Sequence, residues 1–363
     1  MKTYISYSLL ASAAACGMAF GQTTAFTSPV GYVTLDIPAN SDANIGQPLH
    51  RTTAFAGVAT TVVGSVINLP ASSLTANQFV YAPPAQPNNY YVQVNGGSLN
   101  GRIFDVVSND TSSITVLNGT TDISSITSFA VIPFWTLGTL FPAGAGVGNS
   151  VDIFEANGLV QFKSTTDAAH LGINRPVAAN YFHYTGTDEA GTGWYNNDDL
   201  SLGLQNNLTI DPDMVARIRN NGSLKQVTVS GEVPRSSATT PIVKGATAND
   251  NYVAVQFPLD VTLAQSGLTA VVTPSTDIFE AIDLVQIIDE TAAGINKPVK
   301  ASYFYYTGAE EAGTGWYNND DLSLGLQDNV AGILKAGRGY NVRKGAGAAG
   351  TSFAVGAPPY TLP

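Results

Sequence analysis

The sequence predicts an all-β protein: an antiparallel β-sandwich or barrel, followed by two duplicated β-rich modules. Three observations carry this. Short β-branched and aromatic runs recur, several alternating with period two. Asn95-Gly96, Asn100-Gly101 and Asn118-Gly119 stand at their ends. Such pairs accept the positive φ angles of tight hairpin turns. No long stretch keeps a 3.6-residue period between caps, so helices should be few and short.

Taken in order, residues 1–21 read as an export signal. Lys2 supplies the charge, Ile5 to Phe20 an apolar run, and Ala19-Phe20-Gly21 the small residues before cleavage at Gln22. Cys16, the one cysteine, falls inside it. A lipidated Cys16 would want a Leu-like residue where Ala13 stands. The mature chain then has no disulfide, thiolate metal site or cysteine nucleophile. No later apolar run approaches the ~18 residues of a membrane helix. With 16 basic against 27 acidic residues, a net charge of -11, the chain should repel phosphate backbones. Nucleic acid is therefore not an expected partner.

Residues 22–139 read as the N-terminal β domain. Its strand-like runs include Tyr32 to Leu35, Tyr90 to Val94, Ile103 to Val107, Ile114 to Leu117 and Phe129 to Ile132. Spacing of about ten residues per strand suits a sandwich or barrel.

Residues 140–240 and 241–363 read as two copies of one module. Asp152-Ile153-Phe154-Glu155-Ala156 returns as Asp277 to Ala281, and Tyr181 to Gly186 as Tyr303 to Gly308 with one change, His183 to Tyr305. Gly191 to Gln205 returns unchanged as Gly313 to Gln327, fifteen residues, the offset passing from 125 to 122. Identity of that length indicates duplication, with residues near 128–234 and 253–359 forming one fold twice. The Ser-, Thr- and Ala-rich stretch from Arg235 to Asp250 reads as a linker.

Three segments carry a resemblance: Ser28-Pro29-Val30-Gly31-Tyr32-Val33-Thr34-Leu35, Ile132-Pro133-Phe134-Trp135-Thr136-Leu137-Gly138-Thr139-Leu140-Phe141, and Ala336-Gly337-Arg338-Gly339-Tyr340-Asn341-Val342-Arg343. With them the chain resembles a family of exported verrucomicrobial proteins. Members of that family usually carry Pro where this chain has Lys335, and one module where it has two. The resemblance implies an exported, surface-type protein and no particular site.

Few constellations suggest chemistry. His50, His170 and His183 lie in separate segments, unlike the close ligands of a zinc site. No Gly-x-Ser-x-Gly elbow or phosphate-binding glycine loop is present. The repeated Gly-Thr-Gly-Trp-Tyr-Asn-Asn-Asp-Asp block is the best candidate, and several readings compete. Asn197, Asp198, Asp199 and Asn319, Asp320, Asp321 are candidate calcium ligands, hard oxygen donors in a turn. Trp194, Tyr195, Trp316 and Tyr317 are candidate platforms for sugar rings. The carboxylates could serve glycoside hydrolysis, preceded as they are by Asp188, Glu189 and Glu310, Glu311. The block could also be a contact surface in a polymeric layer, or a turn whose aromatics plug each core.

The expected function is non-enzymatic: an exported structural or interaction protein of the cell surface or extracellular space, associating with itself or with polysaccharide. A carbohydrate-binding or adhesin-type protein with duplicated sites is the alternative, and a polysaccharide-active enzyme the third. No cofactor is expected beyond calcium.

Overall fold

The computed structural model describes residues 28–163, 172–174, 176–187, 191–309 and 313–362. The expected leader 1–21 with Cys16 lies outside the described residues, as do His170, Asp188, Glu189, Glu310 and Glu311. Strand makes up 42% and helix 6%, so the protein is all-β.

Two strands open the described chain, β1 (Val30–Ile37) and β2 (Ser41–Ile45). Seven strands follow: β3 (Phe55–Val58), β4 (Thr61–Val63), β5 (Val66–Asn68), β6 (Tyr90–Val94), β7 (Ile103–Asn109), β8 (Ser113–Leu117) and β9 (Ser128–Pro133). They form one antiparallel sheet in the order β3-β9-β6-β7-β8-β5-β4. Its inward residues, among them Ile67, Val92, Phe104, Ile114 and Phe129, make a separate core.

The chain then runs through β10 (Trp135–Thr136), the short helix α1 (Leu137–Leu140), β11 (Asn149–Ser150), β12 (Gly158–Phe162), β13 (Ala179–Tyr184), β14 (Gly193–Asn196), β15 (Thr209–Ile210), β16 (Ala216–Asn220) and β17 (Lys225–Glu232). Thr136 and Thr139 form a capping box that starts α1. The last third holds β18 (Ala238–Lys244), β19 (Asn249–Ala254), β20 (Leu284–Ile288), β21 (Val299–Tyr306), β22 (Gly315–Asn318), β23 (Gly339–Lys344) and β24 (Gly350–Gly356).

Pairing shows what is duplicated. One sheet has the order β11-β13-β12-β16-β2, with β14 also on β13; the other has the order β19-β23-β20-β21-β22. The parallel β11–β13 contact at Ser150 and Tyr184 returns as a bridge between Ser275 and Tyr306. The β1–β17 ribbon returns as β18–β24. Asp42 on β2 pairs with Arg219 on β16, and Asp250 on β19 pairs with Arg343 on β23. In the first copy, β1 and β2 therefore do the work of β18 and β19.

This redraws the boundaries expected at 22–139, 140–240 and 241–363. The first module is discontinuous: β1 and β2, then β10 to β17. The seven-stranded sheet interrupts it, and the second module runs from β18 to β24. The stretch read as a linker is mostly β18 and the start of β19. The reason is edge satisfaction: β16 and β17 need partners for their backbone groups, and β2 and β1 supply them from far away in sequence. The interruption leaves and rejoins at one place. Arg51 donates to the Phe134 carbonyl (3.1 Å), and the Trp135 indole donates to the Leu49 carbonyl (2.9 Å).

Each module's sheet is covered on both faces. Tyr181 and Trp194 enter the main core of the first, while Phe182, Tyr184 and Tyr195 form a smaller cluster with Ile153. Tyr303 and Trp316, against Phe304, Tyr306, Tyr317 and Ile278, repeat this in the second. Successive strand residues point to opposite faces, so an aromatic run suits a sheet buried on both sides.

Candidate functional site

The repeated block folds identically in both modules. Asn196 Oδ1 accepts the backbone N–H of Asp198 (2.8 Å) and Asp199 (3.2 Å), and Asn318 does the same for Asp320 and Asp321 at the same distances. Asp199 caps a single helical turn by accepting from Ser201 N (3.0 Å); Asp321 accepts from Ser323 N (3.1 Å). Asp198 reaches back across the strand pair to Asn180 N (3.0 Å), and Asp320 to Ser302 N (2.7 Å). The turns close at Gly203 and Gly325, whose φ values of 65° and 64° suit glycine.

The aromatic members point inward. Trp194, Tyr195, Trp316 and Tyr317 are all buried. They are core plugs and offer no open ring face, which corrects the expectation of sugar platforms. Their large apolar surface gains more inside the sheet than at a turn tip. The Tyr195 and Tyr317 hydroxyls tie back to the Gly191 and Gly313 carbonyls, both at 2.9 Å.

The candidate calcium ligands also differ from expectation. Asn197, Asp198, Asp199, Asn319, Asp320 and Asp321 are exposed, but their carboxylates diverge toward the separate donors just named. Among the described residues, no three His, Cys, Asp or Glu side chains converge as a metal site would require. His50 bonds the Arg51 carbonyl, and His183 packs its ring on Trp194 at 5.4 Å, as Tyr305 does on Trp316 at 5.5 Å.

What the block does expose is apolar. Leu202 and Leu324 are each 55% exposed, and Leu204 and Leu326 each 45%. Beside them stands the second repeated motif. Asp152 Oδ1 accepts from Phe154 N, and Asp277 Oδ1 from Phe279 N, both at 2.8 Å. These turns send Ile153 and Ile278 inward and Phe154 and Phe279 outward, at 81% and 79% exposure. Ile153 and Leu200 pack in one cluster, as do Ile278 and Leu322, so both turns belong to one side of each module.

A second, polar locus lies where the three sheets meet. A cavity of about 500 Å³ is walled by Asp42, Gln161, Lys163, Arg217, Tyr252 and Asn296, among others. A neighbouring one of about 330 Å³ shares Lys163 and Tyr252 and adds Arg102, Asp105, Asp211 and Asp213. Burial, opposed by hydrogen bonds from Arg219, Asn296 and Arg217, leaves the Asp42 carboxyl below its usual range. Burial, then the Arg217 charge, pushes the Lys163 ammonium down to about 8. Burial, then the Asp105 charge, pushes Asp211 up to about 6; burial, then the Asp211 charge, pushes Asp213 up to about 7. Sequence reasoning missed these groups because they come from segments far apart. Asp211-Pro212-Asp213, two carboxylates two residues apart, was the one local hint.

No family model, curated protein or solved structure matches this chain.

Proposed function

We propose that the protein is exported and acts outside the cell as a non-enzymatic structural and interaction protein that associates with its own copies. The supporting observation is the exposure of the same three apolar side chains on both modules: Phe154, Leu202 and Leu204, and Phe279, Leu324 and Leu326. Scattered apolar residues on a surface need no account, but the same set presented twice by duplicated turns fits a contact surface. A patch that pairs with itself makes a dimer, and two such patches on one chain extend the assembly into a polymer. Asp152, Glu155, Asp277 and Glu280 flank the phenylalanines, so association should strengthen with salt, which screens their repulsion. Fractionation of intact cells with electron microscopy tests the reading. A regular layer at the surface is the expected result, and purely soluble, monomeric release would overturn it.

A further inference from the structure

The larger junction cavity has features that self-association leaves unused. The protein carries a net charge of -11, yet this wall gathers Lys163, Arg217, Arg219 and Lys297 around one carboxylate, Asp42. Lys297 is answered by Glu290 at 3.7 Å. Asp42 is shared by both arginines and by Asn296 N. One arginine charge and that of Lys163 remain in surplus, the Lys163 Nζ lying 3.9 Å from the Tyr252 ring centre.

The wall also holds an unmet acceptor. Gln161 is buried, and its Oε1 has no hydrogen-bond partner. Its orientation follows from a chain of bonds. Asn180 Nδ2 donates to the Asp198 carboxylate (2.9 Å), so Asn180 Oδ1 is the end that accepts Gln161 Nε2 (2.7 Å). In the second module Gln286 Oε1 accepts from Asn341 Nδ2 at 2.8 Å. Arg217 faces Gln161 across the first sheet as Asn341 faces Gln286 across the second. Two neighbours differ between the copies, Arg217 for Asn341 and Asn180 for Ser302. In the second module the unpaired acceptor is Asn341 Oδ1, in the first it is Gln161 Oε1, and only there does an arginine bring a cation beside it. A buried acceptor left unpaired is costly, and a ligand hydroxyl would satisfy it.

We propose that this cavity binds a carboxylate-bearing, hydroxyl-rich ligand: a uronic acid residue of an acidic saccharide. Its carboxylate meets Lys163 and Arg217, one hydroxyl donates to Gln161 Oε1, and the amides of Asn174 and Asn296 take other hydroxyls. The volume of about 500 Å³ falls within the range of small-molecule sites. Residues of both modules line this wall at their one junction, so one site per chain is expected.

The test is calorimetric titration of the full mature chain with trigalacturonate, beside neutral cellotriose and inorganic sulfate. Trigalacturonate should bind at one site per chain, and the other two at least tenfold more weakly. Lys163→Met should weaken trigalacturonate binding about tenfold by removing a charge-assisted hydrogen bond. Gln161→Leu should weaken it several-fold while leaving any residual sulfate binding unchanged. Thermal melts of both variants establish that they fold. Three results would overturn the proposal: no trigalacturonate binding by the folded wild type, equal binding of sulfate or cellotriose, or undiminished binding in both folded variants.

Discussion

Lys344 and Asp283 form an ion pair inside the second module, their side chains 3% and 0% exposed. Lys344 Nζ also donates to the Val271 carbonyl (2.6 Å), and Asp283 accepts from Thr273 N (2.5 Å) and Gly345 N (2.7 Å). The first module handles the same position without charge: Asn220, the counterpart of Lys344, donates to the Pro38 and Ser223 carbonyls. Lys344→Met would leave Asp283 buried with two backbone donors and no counter-charge. Breaking a buried pair in this way costs about 3–5 kcal/mol. Urea unfolding followed by tryptophan fluorescence can isolate the module. The chain has 3 tryptophans, Trp135, Trp194 and Trp316, so a background with Trp135→Phe and Trp194→Phe reports on Trp316 alone. In that background Lys344→Met should lower stability by about 3–5 kcal/mol. Adding Asp283→Asn should restore at least about 1 kcal/mol of it, because the lone buried charge is gone. A loss under about 1 kcal/mol for Lys344→Met, or simple additivity in the double variant, would refute the reasoning.

Three further predictions follow from particular contacts. The Trp316 indole N–H donates to Thr269 Oγ1 at 3.1 Å, so Thr269→Val should cost about 1–3 kcal/mol by leaving a buried donor unpaired, read in the same assay. Asp211 and Asp213, raised to about 6 and about 7 by burial and then by the charges of Asp105 and Asp211 respectively, hold their protons longer in the folded state than in the unfolded. The stability they support is full below about pH 4 and lost as pH rises to about 7, so urea midpoints should fall over that window and Asp213→Asn should flatten the fall. Because Arg51 and Phe134 touch where the seven-stranded sheet departs and returns, replacing residues 52–133 by a short Gly-Ser linker should leave both modules folded, with Trp194 and Trp316 fluorescence still buried.

Much of this was legible in the sequence because the cues are local. Alternation in β1 places Leu35 and Ile37 inside, and Asn-Gly pairs flank β6, β7 and β8. Copy-to-copy comparison showed His183 to be a strand residue, since Tyr305 does the same packing on the other tryptophan. The interruption was not legible. β1 and β2 share almost no residues with β18 and β19, and their kinship lies in pairing partners, with Asp42 and Asp250 each answering an arginine. The inward turn of Trp194 and Trp316 was open because an aromatic beside an Asx turn suits a core as well as a sugar. The exposed phenylalanines passed unnoticed for the opposite reason: in Asp-Ile-Phe-Glu either apolar residue could be the buried one, and only the turn geometry decides for Ile153 and Ile278. The junction cavity joins residues from the sheets of both modules, and no window of sequence contains it.

The most direct measurement on the central claim is sedimentation velocity across a concentration series. It compares the wild-type chain from Gln22 onward with Phe154→Ser, Phe279→Ser and the double variant. Both side chains are about four-fifths exposed, so the variants should fold with unchanged melting. If the duplicated turns are self-pairing contacts, the wild type forms a ladder of growing oligomers, each single variant stops at dimers, and the double variant is monomeric. A wild type that stays monomeric at every concentration, or a double variant that assembles as the wild type does, would contradict the account.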